Sequence, residues 1–197
     1  NDNLRAEGRP ASCIHFVGNV MIDTLLKHRS AALRLPTLEK LGLKAPGGTA
    51  QPYAALTLHR PSNVDSDSIM KQIGQALREI GKRFPIIFPV HPRTRNKISE
   101  FELGALFSGQ SGVRMIDPLG YLDFLNLMAN ARVVLTDSGG IQEETTILGV
   151  PCLTLRHNTE RPITVDQGTN LLVGNRPEAI LAGFQQILEG KRGNLKA

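Results

Sequence analysis

Nine consecutive residues, Thr136-Asp137-Ser138-Gly139-Gly140-Ile141-Gln142-Glu143-Glu144, have the types needed to hold an anion and a sugar together. They follow a β-rich run, Arg132-Val133-Val134-Leu135, and lead into an apolar-spaced segment closed by Gly149 and Pro151. Strand, glycine turn and helix in that order leave unpaired backbone N–H groups at Gly139 and Gly140, at the positive end of a helix dipole. Phosphate or diphosphate binds in such a place. Acidic residues in the first helical turns can then grip a ribose diol. The plainer alternative is a tight connection in which the glycines supply unusual dihedrals and Ser138 caps the helix. The acidic residues that ride on the same helix favour the anion-plus-sugar reading. Thr159-Glu160-Arg161-Pro162 follows a little further on and is read with this run.

Two histidines offer further chemistry. His59-Arg60-Pro61 closes the apolar run 54–58, and His91-Pro92-Arg93 repeats the arrangement one unit later. At the carboxyl edge of a sheet, a His-Arg pair can lend positive charge to a departing diphosphate. A histidine that only satisfies hydrogen bonds is the alternative, and position alone leaves both open. Asp65-Ser66-Asp67 has the Asp-x-Asp form that holds a metal in some glycosyltransferases, but it stands directly before a helical stripe, where capping is the better reading. No His or Cys cluster has metal-ligand spacing. Ser138 lacks a Gly-x-Ser-x-Gly elbow, and neither Walker A nor Gly-x-Gly-x-x-Gly occurs.

The elements that must position these residues alternate. Apolar runs at 14–17, 54–58, 85–90, 112–116, 132–136, 152–155 and 170–173 read as strands. Several lack period-two alternation, as expected of a parallel sheet covered on both faces. Ile69, Ile73, Leu77 and Ile80 make a helical stripe over 67–84, with Asp65 or Ser66 as cap. Leu122, Leu125 and Met128 or Ala129 do the same over 121–130. Ile180, Phe184 and Ile187 do so over 176–188, behind the first-turn pair Pro177-Glu178. Such alternation predicts βαβ units and a three-layer, doubly wound α/β domain with its ligand at the carboxyl ends of the strands. His59, His91, Asp137 and Arg156 all fall at such ends. Residues 42–52, rich in Gly, Ala and Pro, read as a loop. Residues 1–20 hold one helix-like end and the strand 14–17, too little to bury a core. They are expected to be the remnant of a preceding domain, with 21–197 as the ligand-binding domain.

Composition bounds the rest. The 197 residues are 41% hydrophobic and 21% charged, the balance of an ordinary globular protein. No apolar run approaches the ~20 residues of a membrane helix, and the opening Asn1-Asp2-Asn3-Leu4-Arg5 has no signal-peptide pattern. Without an initiating Met, this start reads as a boundary or a processed end. Cys13 and Cys152 are too sparse for a disulfide scaffold or a metal site. Both are expected to act as small buried hydrophobes in a reducing cytoplasm. The formal charge of +5 allows an anionic ligand, but a solvated basic surface is the better reading. With no Trp, two Tyr and no zinc-finger or RNA-binding signature, neither nucleic acid nor membrane is an expected partner.

Taken together, Thr57-Leu58-His59-Arg60 with Asn63, Val90-His91-Pro92, residues 136–144 and Thr159-Glu160-Arg161-Pro162 resemble the non-hydrolysing UDP-N-acetylglucosamine 2-epimerases. The resemblance runs over nearly the whole chain, including Val17-Gly18-Asn19 and Gly168-Thr169-Asn170. It implies the Rossmann-like C-terminal half of a two-domain fold of the glycosyltransferase-B type, with the active site between the halves. It also implies inversion at C2 of UDP-N-acetylglucosamine to give UDP-N-acetylmannosamine, through elimination and re-addition of UDP without metal or redox cofactor. Such a reaction serves cell-surface polysaccharide biosynthesis.

By the same resemblance Ser138, Gly139 and Gly140 bind the diphosphate and Glu144 the ribose hydroxyls, while Phe124 lies in the uracil-binding segment. Arg161 belongs to the substrate cleft, and His59 is the functional histidine near diphosphate and sugar. Arg60 and His91 match cleft residues where bacterial members also hold a regulatory UDP-N-acetylglucosamine. The family's catalytic carboxylates lie in an N-terminal domain outside this chain, and its final helix would follow Ala197. The fragment is therefore expected to bind UDP weakly and not to epimerise alone. Family members are commonly homodimers. Relatives often carry an acidic residue before the Asn of His59-Arg60-Pro61-Ser62-Asn63, which opens the choice of sugar to a diacetamido-uronic acid. The other readings are the nucleotide-binding domain of a UDP-sugar glycosyltransferase, which Thr159 to Pro162 argues against, and a non-catalytic UDP-sugar binding domain.

Overall fold

Six of the seven apolar runs hydrogen-bond into one sheet in the computed structural model, which describes residues 1–45 and 47–190. The chain runs through α1 (Asp2–Ala6), α2 (Val20–Leu33), α3 (Thr37–Lys40), β1 (Ala54–Thr57), α4 (Pro61–Val64), α5 (Asp67–Gly81), β2 (Ile86–Pro89) and α6 (Pro92–Glu100). It continues through β3 (Val113–Ile116), α7 (Tyr121–Ala129), β4 (Val133–Thr136), α8 (Gly139–Leu148), β5 (Cys152–Thr154), α9 (Pro162–Asp166), β6 (Asn170–Leu172) and α10 (Pro177–Leu188). All strand pairs are parallel, in the order β3-β2-β1-β4-β5-β6. This is the doubly wound order, in which successive units step outward from β1 on one side and then from β4 on the other.

Both faces of the sheet are buried, which explains the unbroken apolar runs. Ala54, Leu56, Ile86, Phe88, Val133 and Leu135 point into a core closed by α5 and α10. Their neighbours Ala55, Ile87 and Val134 point into a second core with Leu25 of α2, Leu38 of α3 and Leu125 of α7. Ile73, Leu77 and Ile80 of α5 are buried as their spacing predicts. Ser66 holds the cap position of α5 but its side chain makes no cap hydrogen bond, while Asp65 instead pairs with Arg93 at 2.6 Å.

The run 14–17 is not a strand. Its residues lie outside the sheet, with Phe16 84% and Val17 75% exposed, because no strand edge is offered beside it. Apolar character alone does not make a strand; the backbone needs a partner to take its hydrogen bonds. Cys13 is exposed, contrary to expectation, because residues 1–13 reach none of the core, whereas Cys152 is fully buried in β5. No residue of 1–20 is buried. Around the loop 42–52, Lys44 and Ala50 form an isolated antiparallel bridge. Pro46 of that loop, and residues 191–197 of the expected ligand-binding domain, lie outside the described residues.

Candidate functional site

The place where β1 and β4 lie side by side decides the site. Thr57 pairs with Thr136 in register, and their hydroxyl oxygens are 2.7 Å apart. Beyond them the chain leaves β1 toward one side of the sheet and β4 toward the other, opening a crevice at the carboxyl ends of the strands. His59, Arg60 and Asp137 to Gly140 meet there.

Asp137 joins the two lips. Fully buried, it accepts hydrogen bonds from the backbone N–H of His59 at 3.0 Å, that of Arg60 at 2.8 Å and the side-chain amide of Asn63 at 3.3 Å. The His59 ring sits against the same carboxylate, Nδ1 to Oδ1 at 3.2 Å. Asn63 also donates to the carbonyl of Leu155, tying in the end of β5. A carboxylate taking several N–H donors is an acceptor with its capacity filled, so Asp137 holds loops rather than ligand.

Ser138 holds the cap position of α8, yet its hydroxyl makes no cap hydrogen bond. The plainer alternative for this turn, a serine-capped connection, is thereby set aside: the first N–H groups of α8 are not closed by the Ser138 side chain. A methyl group at Gly139 would meet Glu160 Oε2 at 3.4 Å and Arg60 Nη2 at 4.0 Å. At Gly140 it would meet the Met21 methyl at 2.7 Å. The turn therefore faces a guanidinium and a carboxylate on one side and α2 on the other. Arg60 Nε is buried without a hydrogen-bond partner, a donor that a bound anion can use.

The second segment is held by Gln142, one turn into α8 and fully buried. Its oxygen accepts from the Thr159 hydroxyl at 2.5 Å and from Asn170 Nδ2 at 3.1 Å, and its nitrogen donates to the Ser138 carbonyl at 3.3 Å. Thr159 Oγ1 accepts in turn from the backbone N–H of Arg161 at 2.9 Å. Glu160 takes both Arg156 Nη groups at 2.8 Å and lies 3.9 Å from Arg60. Beyond this pair is a polar cleft of about 430 Å³ that Arg60, Asn63, Arg156, His157, Asn158 and Asn175 help to line.

Two glutamates with adjacent numbers differ in role. Glu143 pairs with Arg161 Nε at 3.2 Å and accepts from Asn19 at 2.9 Å. Glu144, 5% exposed, accepts from the Tyr121 hydroxyl at 3.2 Å. Burial pushes the Glu144 carboxyl above its ordinary value, the Tyr121 bond pulls it back, and Glu143 pushes it further up. The Tyr121 hydroxyl rises to about 12, chiefly from burial and then from Glu144.

Glu160 behaves oppositely. The Arg156 guanidinium, with Arg60 further off, holds its carboxyl down at about 2. A depressed carboxyl contributes stability above its ordinary value of 4.5, which is lost as pH falls toward 2. Glu160→Gln should therefore melt below the unchanged chain at neutral pH, and the gap should close between pH 4.5 and 2 in thermal scans. With the Glu160 side chain 51% exposed, solvent screening keeps that gap small.

The structure thus brings together His59, Arg60, Ser138, Gly139, Gly140 and Glu160, with Arg161 and Glu144 on the flanks of α8. His91 stands one strand away, capping α6 through its own ring: Nδ1 accepts the Arg93 N–H at 3.3 Å. Phe124 packs half-buried against the second core, on the helix whose first residue, Tyr121, reaches Glu144. The roles of Tyr121 and Gln142, and of Asp137 as a clamp, were not read from the sequence. Among the described residues, no group of three or more His, Cys, Asp or Glu could hold a metal ion, and no helix is long and apolar enough to cross a membrane.

The family model described as UDP-N-acetylglucosamine 2-epimerase matches residues 1–197. The chain belongs to that family. It is similar to the UDP-N-acetylglucosamine 2-epimerase of Methanococcus maripaludis, 40% identical over 193 residues, which cover 97% of this chain and 52% of the relative. It is also similar to the UDP-2,3-diacetamido-2,3-dideoxy-D-glucuronate 2-epimerase of Pseudomonas aeruginosa, 38% identical over 197 residues, covering 98% of this chain and 49% of that one. Among solved structures it superposes on the Methanocaldococcus jannaschii UDP-GlcNAc 2-epimerase in complex with UDP-GlcNAc and UDP. The TM-score is 0.86 and the identity 39%, over 99% of this chain and 53% of that one. The chain spans about half the length of the epimerases it matches.

Proposed function

We propose that this chain is the UDP-binding half of an epimerase that interconverts UDP-N-acetylglucosamine and UDP-N-acetylmannosamine, eliminating UDP and adding it back to the other face. One observation carries the reading: at the β1/β4 crevice, the uncapped start of α8 faces Arg60, and a buried carboxylate lies one turn further along the same helix. Elimination places developing negative charge on the departing diphosphate. Fixed N–H dipoles at Gly139 and Gly140 and the guanidinium of Arg60 stabilise that charge without reorganising at the moment of reaction. Glu144 receives the ribose hydroxyls. Asp137 orients His59 through Nδ1, which leaves Nε2 as the ring nitrogen that serves the diphosphate and sugar. Arg161, paired with Glu143 by its Nε, offers its remaining guanidinium N–H groups to the substrate. The groups that move the C2 proton belong to a second domain that closes over this one, as the relatives' greater length supports. We place the reaction in the cytoplasm, in the supply of sugars for cell-surface polysaccharide.

The test has two arms. In heavy water, a protein containing both halves should introduce deuterium at C2 of UDP-N-acetylglucosamine with no acceptor present; transfer that requires an acceptor would mean a glycosyltransferase. The 197-residue chain alone should bind UDP without turnover, and Arg161→Ala and Glu144→Ala should each weaken UDP by about 1.5–3 kcal/mol in calorimetry. Unchanged affinity in both variants sinks the site. A second sugar is favoured by the likeness to the Pseudomonas aeruginosa diacetamido-glucuronate epimerase, so UDP-2,3-diacetamido-2,3-dideoxy-D-glucuronate belongs in the same assay.

A further inference from the structure

Glu144 is an acceptor with spare capacity in a place that water barely reaches. Its Oε1 takes one hydrogen bond, from Tyr121, and an ionised carboxylate offers about four acceptor sites. It opens on a groove of about 280 Å³ whose other lining residues are Val20, Met21, Thr24 and Tyr121. Met21, which lines that groove, also lays its methyl group over Gly140. Gly140 and Glu144 are four residues apart on one helix face, about 6 Å along the axis. That is the reach from a phosphate held at the helix start to the hydroxyls of the sugar it esterifies.

Within the groove, the Tyr121 hydroxyl donates to Glu144 Oε1 at 3.2 Å. Its ring stands edge-on to His28 of α2, with centroids 6.5 Å apart and planes at 86°, a contact that favours the ring position from which the hydroxyl reaches Glu144. A carboxylate held by one oxygen presents its other oxygen and remaining lone pairs in a fixed direction. A vicinal diol can donate to them twice, and a sugar with one hydroxyl only once.

We infer that Tyr121 is a positioning residue that makes this site select ribose over 2′-deoxyribose, by holding the Glu144 carboxylate where a vicinal diol can meet it. The inference rests on the UDP reading of the site. A site built to receive a hydroxyl discriminates against the analogue lacking it because its own buried acceptor is then left unpaired. Without the Tyr121 hydroxyl the carboxylate can turn, and its demand for the 2′-hydroxyl weakens.

Calorimetry with three ligands tests this: UDP, 2′-deoxy-UDP and inorganic pyrophosphate, each against the unchanged chain and Tyr121→Phe. The unchanged chain should prefer UDP over 2′-deoxy-UDP by about tenfold or more, the worth of one charge-assisted hydrogen bond. In Tyr121→Phe that ratio should collapse toward unity while pyrophosphate binds as before, which shows that fold and diphosphate turn are intact. A ratio in Tyr121→Phe equal to that of the unchanged chain overturns the inference. So does a loss of pyrophosphate binding in step with UDP, which would make Tyr121 a support of the fold. Failure of the unchanged chain to bind UDP overturns the proposed function and this inference with it. UDP binding whose sugar preference ignores Tyr121, or that shows no such preference, overturns the inference alone.

Discussion

Asp137→Ala will cost the domain about 3 kcal/mol in urea denaturation, the largest loss expected from any single side chain at the crevice. The reason is what the substitution leaves behind. The N–H groups of His59 and Arg60 and the amide of Asn63 all point at this one buried carboxylate. Each donor stranded in a dry place costs about 1–3 kcal/mol, offset where water can enter. Asp137→Asn keeps the volume and one acceptor oxygen, and should lose less than half as much. In Asp137→Ala the strand-end loop that carries His59 and Arg60 loses this attachment to β4, so UDP affinity should fall along with stability, and it should fall less in Asp137→Asn. A loss under about 1 kcal/mol for Asp137→Ala would show that the loop is held by something else.

Gln142→Leu comes second, at about 2 kcal/mol, and its effect on binding should outweigh its effect on stability. Leucine fills the space but strands the Thr159 hydroxyl, which donates to the Gln142 oxygen, and removes the side-chain donor from the Ser138 carbonyl, which keeps its helix hydrogen bond. Asn170 is less exposed to the loss because Thr164 Oγ1 also accepts from it, at 3.2 Å. With the Thr159 tie gone, the segment 159–162 is joined to α8 through the Arg161–Glu143 pair and holds Arg161 less firmly relative to the diphosphate turn. UDP should bind about tenfold more weakly, and adding Arg161→Ala to Gln142→Leu should cost little more, since residues in one network are not additive. Full additivity of the two substitutions in calorimetry would refute the coupling.

The fold was legible where burial is two-sided. Strands 54–57, 86–89 and 133–136 face a core on each side, so apart from Thr57 and Thr136 at the carboxyl ends their residues are apolar and bounded by turn residues. The same logic misled at 14–17, because an apolar run cannot report that it lacks a pairing edge. It also left α2 unread. Only Leu25 and Ala32 of that helix are buried, while Val20, Met21, Leu26 and Leu33 are exposed, so its apolar residues mark no single stripe. At the site, the glycine turn and its acidic followers could be read because their chemistry is local. Asp137 with His59, 78 residues apart, and Tyr121 with Glu144, 23 apart, meet only through the sheet order and the packing of α7 and α8. Gln142 stands between the glycines and the glutamates of that run, and what gives it its structural weight is burial, which no neighbour in the chain announces.

Asp137 and Gln142 stand five positions apart across the glycine turn, and each grips a different lip of the crevice: the segment after β1 and the segment before α9. Both lips are therefore bolted to one short rigid piece, the end of β4 running into α8. Neither can swing alone. The crevice is thus the fixed jaw of a vice: on the proposed reading, a second domain that closes over a nucleotide here would be the moving jaw.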